Sequence, residues 1–133
     1  METFKDSGLH PQIVQGVEAL GFVEPTPIQK MSIEHLLENS TDLIAFAQTG
    51  TGKTAAFSLP ILHQLEEDVQ HVQAIILAPT RELCLQIATD IEAYSKFMPV
   101  KVTAVYGGAP ITKQIKELQQ RPQIVVGTPG RTL

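Results

Sequence analysis

A lysine and a threonine set directly behind a glycine turn have few chemical uses, and this chain carries one such pair. The stretch Ala45–Phe57 reads AFAQTGTGKTAAF. Within it Ala47-Gln48-Thr49-Gly50-Thr51-Gly52-Lys53-Thr54 has the spacing of a phosphate-binding loop whose first glycine is alanine. In such a loop the turn's backbone N–H groups and the N-terminus of the next helix converge on phosphate oxygens. Lys53 would reach the β- and γ-phosphates, and the Thr54 hydroxyl would coordinate Mg²⁺. Gly50 and Gly52 suit a backbone that approaches phosphate closely and takes positive φ. Ala47 falls at an expected strand end, where an extended residue is tolerated, so the missing glycine need not collapse the loop.

A second group of residues precedes the loop. In Gly21–Gln29, GFVEPTPIQ, the run Thr26-Pro27-Ile28-Gln29 matches a capping box, in which the side chain three residues in reaches back to the cap residue's N–H. That local role accounts for Gln29 without any ligand. Further on, Pro79-Thr80-Arg81, Gly107-Gly108 and Thr128-Pro129-Gly130-Arg131 are turn sequences with hydroxyl, amide and guanidinium groups suited to phosphate. Taken singly, each has a plain reading: an N-cap for Thr80, a tight turn for the glycines, surface charge for the arginines. His10, His35, His63 and His71 show no metal-ligand spacing, and the lone Cys84 suits packing within a helix.

The elements that must position these groups follow from periodicity. Short apolar runs at Leu43–Ala47, Ala74–Ala78, Val100–Tyr106 and Ile124–Val126 predict strands, each ending in one of the turns. Between them, helical patterns cover about 53–65, 81–97 and 111–120. Such alternation is the mark of βαβ units on a parallel sheet, whose ligands sit beyond the strands' carboxyl ends. All four turns are then expected on one sheet edge. Two helices come first. In one, Ile13, Val17 and Leu20 share a face and Gly21 stops it; the other starts at Thr26-Pro27, with Ile28, Met31, Leu36 and Leu37 as its apolar side.

The 133 residues, 43% apolar and 18% charged, suit one globular domain. A net charge of −4 argues against indiscriminate nucleic-acid binding while permitting a local phosphate-contacting groove. The acidic triplet Glu66-Glu67-Asp68 is most simply a solvated loop. With one cysteine there is no internal disulfide, and no apolar run approaches the roughly 20 residues that span a bilayer. No membrane association is expected, and the default localisation is cytoplasmic.

Taken in order, GFVEPTPIQ, AQTGTGKT, PTRELCLQ, Gly107-Gly108 and TPGR make the chain resemble the amino-terminal part of the first RecA-like core domain of a DEAD-box ATP-dependent RNA helicase. The resemblance covers essentially the whole chain. Ala47 fits it, because the family's loop commonly begins with alanine. It implies an α/β, RecA-like P-loop three-layer sandwich with a mainly parallel sheet, truncated. Residues 1–133 would be a single partial ATP-binding domain, with 1–38 the adenine-reading segment and helices and 39–133 the P-loop βα units. It implies ATP and Mg²⁺ as cofactors. Gln29 is expected to read adenine N6 and N7, with Phe4 stacked on the ring, and Phe22 and Pro27 shaping the base pocket. Gln48, Thr49, Gly50, Thr51, Gly52, Lys53 and Thr54 are expected to bind the phosphates, Lys53 and Thr54 serving catalysis. Gln29→Glu would keep the capping box yet lack the amide donor for N7.

RNA is the implied partner, bound through its backbone by Pro79, Thr80, Arg81, Gly107, Gly108, Thr128, Pro129, Gly130 and Arg131, without sequence preference. A second RecA-like domain is implied as the other partner. The family's acidic Mg²⁺-holding motif and its Ser-Ala-Thr motif have no counterpart here, and no Asp follows Asp90. The chain is therefore expected to read as a piece that binds nucleotide and does not hydrolyse it. A related DNA helicase and a non-catalytic nucleotide-binding module are the alternatives.

Overall fold

The computed structural model describes residues 1–48 and 50–133, all but Thr49. The chain divides into two compact units, Met1–Gln64 with Ala93–Met98, and Leu65–Glu92 with Pro99–Leu133.

The first unit is helical. After a 3₁₀ turn at Phe4–Asp6 come α1 (Pro11–Ala19), α2 (Pro27–Glu38) and α3 (Lys53–Gln64). Prolines at the first helical position open α1 and α2, where a missing N–H costs nothing. Gly21, at φ +85°, closes α1 as the sequence predicts, its N–H bonding the Glu18 carbonyl at 2.9 Å. Phe4, Ile13, Val17, Ile33, Leu59 and Leu62 are buried in this unit. Gly16 is there for space, since a β-carbon would overlap the Tyr94 carbonyl oxygen. Two expected faces are corrected. Leu20 is exposed, and α2 buries Gln29, Ser32 and Ile33 while Met31 points to solvent. The polar cap residue Gln29 thus sits on the buried stripe, one helical turn from Ile33.

The second unit holds the sheet. Strands β1 (Ala74–Leu77), β2 (Val102–Val105) and β3 (Ile124–Gly127) run parallel in the order β1-β3-β2. Central β3 is buried along its whole length, as a strand covered on both faces should be. Helices α4 (Arg81–Tyr94), α5 (Ile111–Leu118) and the short α6 (Pro129–Thr132) follow the three strands in turn. Cys84, on α4, is fully buried with its thiol directed at the Val126 carbonyl at 3.1 Å. Among the described residues no helix is long and apolar enough to cross a membrane.

The predicted strand Leu43–Ala47 does not form. A strand exists only where a neighbour takes its backbone N–H and C=O groups. Residues 43–47 have no strand structure, and Ile44 and Phe46 are 83% and 91% exposed. The run is apolar, as its composition says; a hydrogen-bonding partner is what local sequence cannot supply.

Candidate functional site

In the first unit, two segments far apart in sequence are joined by two side chains. The Thr26 hydroxyl donates to the Thr51 carbonyl at 2.8 Å, and Gln29 Nε2 donates to the Gly52 carbonyl at 3.2 Å. Gln29 Oε1 in turn accepts the Thr26 N–H at 3.0 Å, so the expected capping box is present. The Thr51 hydroxyl turns inward to the Gln48 carbonyl at 2.6 Å. The start of α2 and the glycine turn are therefore one hydrogen-bonded body.

Gly50 and Gly52 both take positive φ, +84° and +80°. Their surroundings differ. A β-carbon on Gly50 meets open space, whereas one on Gly52 would overlap Gln29 Nε2. Helix α3 begins at Lys53, and its first backbone bond runs from the Ala56 N–H to the Gly52 carbonyl. The N–H groups of Lys53, Thr54 and Ala55 precede that bond and have no carbonyl within the helix to meet. They and the open side of Gly50 suit an anion, with the exposed Lys53 and half-buried Thr54 beside them. Thr49 lies outside the described residues.

Gln29 is 5% exposed, yet its carboxamide is not saturated. Its Oε1 has a second lone pair and its Nε2 a second hydrogen. The capping role and a base-reading role coexist in one side chain. Gln29→Glu, however, would do more than remove a base donor, because it places a carboxylate oxygen against the Gly52 carbonyl. Phe4 is 1% exposed, with its N–H on the Val23 carbonyl at 3.0 Å, so its ring belongs to the packed interior here. Phe22, at 41%, and Pro27 are the exposed members of the expected base pocket.

The second unit assembles the other predicted residues. Leu77, Gly127 and Val105 share one row of the sheet. Just beyond it the Ala78 N–H bonds the Gly127 carbonyl at 3.0 Å and the Thr128 N–H bonds the Val105 carbonyl at 2.9 Å. Pro79–Arg81, Gly107-Gly108 and Thr128–Arg131 therefore leave the sheet side by side at the strands' carboxyl ends. The shared edge expected for the sequence's turns is realised for these three; the phosphate loop follows no strand. Thr80 is an N-cap, its hydroxyl accepting the Leu83 N–H at 3.2 Å. Arg81 lies over the Tyr106 ring, 5.0 Å from the centroid, and Gly108, at φ +82°, faces it. Arg131 donates to the Ala109 carbonyl and to Gln114 Oε1, each at 3.3 Å.

Sequence reasoning overlooked Tyr106, Gln114 and the His10–His63 pair. Gln114 is buried and bonds both backbone groups of Tyr106. Its signal was available: a polar residue on the Ile111-Ile115-Leu118 stripe of a helix. The two imidazoles stack at 4.1 Å, and the His10 N–H donates to His63 Nδ1 at 3.1 Å. Burial and the neighbouring His10 charge hold His63 below its usual value.

Known proteins match this chain in both sequence and fold. The family model described as DEAD/DEAH box helicase matches residues 26–133. The chain is 51% identical over its full 133 residues to the ATP-dependent RNA helicase CshA of Listeria monocytogenes, and spans 25% of that protein's length. A DEAD box protein from Methanococcus jannaschii superposes on all of it with TM-score 0.93 at 40% identity, the match covering 36% of that chain. Saccharomyces cerevisiae Dbp5, solved bound to RNA and ADP BeF3, matches 99% of it with TM-score 0.86 at 35% identity over 33% of its own length. The α/β fold with its parallel sheet is thus the RecA-like fold of those proteins, present in part. With the family model spanning Thr26 to Leu133 and the whole chain superposing on solved members, this protein belongs to the DEAD/DEAH box helicase family.

Proposed function

We propose that this chain supplies the ATP-binding and RNA-contacting part of an ATP-dependent RNA helicase. Adenine is read by Gln29, with Phe22 and Pro27 beside it and Phe4 behind. The triphosphate is gripped by residues 48–54, with Lys53 on the β- and γ-phosphates. Thr54 would hold Mg²⁺, which when bound neutralises charge on the phosphate oxygens. The fit rests on the open amide cradle at Gly50 and the start of α3. RNA backbone is met by Pro79–Arg81, Gly107-Gly108 and Thr128–Arg131, whose contacts favour no sequence. A second RecA-like domain closes on both ligands, and ATP turnover resets that closure while a short duplex is pulled apart. Residues 1–133 alone bind nucleotide without hydrolysing it.

One observation carries this reading: the Gln29 carboxamide is bonded to the phosphate turn at Gly52. A capping glutamine with no further task has no need to touch that loop. The chain is similar in sequence to an ATP-dependent RNA helicase and in fold to Dbp5 bound to RNA and ADP BeF3, which favours RNA and ATP over other ligands. The test is ATPase activity of the complete protein that carries these residues, with and without single-stranded RNA or DNA. RNA should stimulate turnover and DNA should not, Lys53→Ala should abolish it, and residues 1–133 alone should show none. Turnover by residues 1–133, or equal stimulation by DNA, would contradict the proposal.

A further inference from the structure

Two guanidinium groups lie beside the Gly107-Gly108 turn, and among the described residues neither is held by a carboxylate. Arg81 rests on the face of the Tyr106 ring, 5.0 Å from its centroid. Arg131 donates through one terminal nitrogen to Gln114 Oε1 and to the Ala109 carbonyl, both at 3.3 Å. What connects them is Gln114. Its Nε2 donates to the Tyr106 carbonyl at 2.9 Å, and its Oε1 accepts the Tyr106 N–H at 3.3 Å. A single buried side chain therefore pins both backbone groups of the residue whose ring carries Arg81, and with the same oxygen holds Arg131.

Two features of this linkage argue against ordinary packing. Gln114 is buried on α5, while the apolar residues of its own stripe, Ile111 and Ile115, are about half exposed. A helix seated only by hydrophobic contact would have done the reverse. Tyr106 also lies just past β2, at the point where the chain leaves the sheet's hydrogen bonds, so its N–H and C=O need a side chain to satisfy them. Restraining each arginine by a cation–π face or by neutral acceptors leaves its charge uncompensated. A carboxylate partner would have cancelled it. Such an arrangement orients positive charge toward an outside anion.

We infer that Gln114 and Tyr106 are positioning residues that fix Arg81 and Arg131 beside the glycine turn for two phosphates of a bound RNA strand. The inference rests on the reading of these turns as RNA contacts, and the experiment separates the two. In the complete protein, single-stranded RNA affinity is measured by fluorescence anisotropy across a salt series for Gln114→Met, Gln114→Glu, Tyr106→Leu, Arg81→Gln and Arg131→Gln. ATP affinity and far-ultraviolet circular dichroism report folding.

Gln114→Met keeps length and removes every hydrogen bond. It should weaken RNA binding tenfold or more with ATP affinity within twofold of wild type. Its plot of log affinity against log salt should flatten by about 1.4, the value for two phosphate contacts on a single strand at about 0.7 each. Gln114→Glu sets a carboxylate on Arg131 and against the Tyr106 carbonyl, so it should weaken RNA binding and flatten the salt slope at least as much as Gln114→Met. Tyr106→Leu should match Arg81→Gln, each flattening the slope by about half as much as Gln114→Met. If the arginine variants weaken RNA binding and Gln114→Met and Tyr106→Leu do not, the positioning role is wrong and the RNA reading stands. If both arginine variants bind RNA like wild type, the RNA reading itself fails. A Gln114→Met protein that loses RNA and ATP binding together at unchanged salt slope shows a merely structural glutamine; should it misfold, Tyr106→Leu decides the matter alone.

Discussion

Gly50 and Gly52 offer a controlled comparison within one turn. Both have positive φ, differing by only a few degrees, so alanine at either position carries the same backbone strain of about 1–2 kcal/mol. Beyond that the two diverge. A β-carbon at Gly50 touches nothing, whereas at Gly52 it occupies the place of Gln29 Nε2. Expelling that nitrogen breaks its bond to the Gly52 carbonyl and leaves a buried donor unpaired, a further cost of about 1–3 kcal/mol. Gly50→Ala should therefore destabilise by about 1–2 kcal/mol and Gly52→Ala by about 2–5 kcal/mol. Urea unfolding of both variants gives the difference from the midpoints at constant slope. The decisive step is the same pair in a Gln29→Ala background. Removing the glutamine removes what the new methyl collides with, so the excess at Gly52 should shrink to a few tenths of a kcal/mol, the error usual for additive sites. Equal losses at the two glycines, or an excess at Gly52 that survives Gln29→Ala, would refute the claim that cap and loop are locked together.

Other perturbations follow from the same contacts. Gln29→Glu sets a carboxylate oxygen on the Gly52 carbonyl, so despite an intact cap acceptor it should lower the urea midpoint and weaken ATP binding together. His63 is held below the ordinary 6.5 by burial and by His10. Its neutral ring thus stabilises the fold fully above 6.5, and that contribution is lost as pH falls through the lowered folded value. Thermal melts should show the loss in wild type and not in His63→Phe, which keeps the stack. Burial also pushes the Cys84 thiol up from its usual range. Alkylation by iodoacetamide at neutral pH should proceed no faster than the protein opens, and faster labelling in native buffer would contradict the buried placement.

Some of this architecture was legible in the sequence because it is local. Thr26-Pro27 and Gly21 mark helix ends through backbone preferences that need no tertiary partner, and the structure puts boundaries there. The apolar runs at 74–78, 100–106 and 124–126 are strands, the first two trimmed where the ladder runs out and the third extended by one residue to Gly127. Leu43–Ala47 has the same composition and is no strand, because pairing is a property of two segments. The side of α2 facing inward differs from expectation for a related reason. Apolar residues were assumed to face the core, yet Gln29 is buried because its carboxamide is satisfied by Thr26 and Gly52, while Met31 is left outside. Gln114 repeats the pattern on α5. A polar residue on an apolar stripe flags such a side chain, but what it bonds is not legible locally, because the partners lie 23 residues away for Gln29 with Gly52 and 17 for Gln114 with Arg131.

The account stands on Gln29 gripping the phosphate turn and reading the base at once. Its most direct test is the ratio of ATP to GTP dissociation constants for wild type and Gln29→Met. Bidentate recognition of adenine is worth about 1–3 kcal/mol, so wild type should prefer ATP by about fivefold to a hundredfold or more, and the variant should bind both nucleotides alike. Wild type that fails to distinguish ATP from GTP, or a preference undiminished in Gln29→Met, would show that this glutamine only caps a helix.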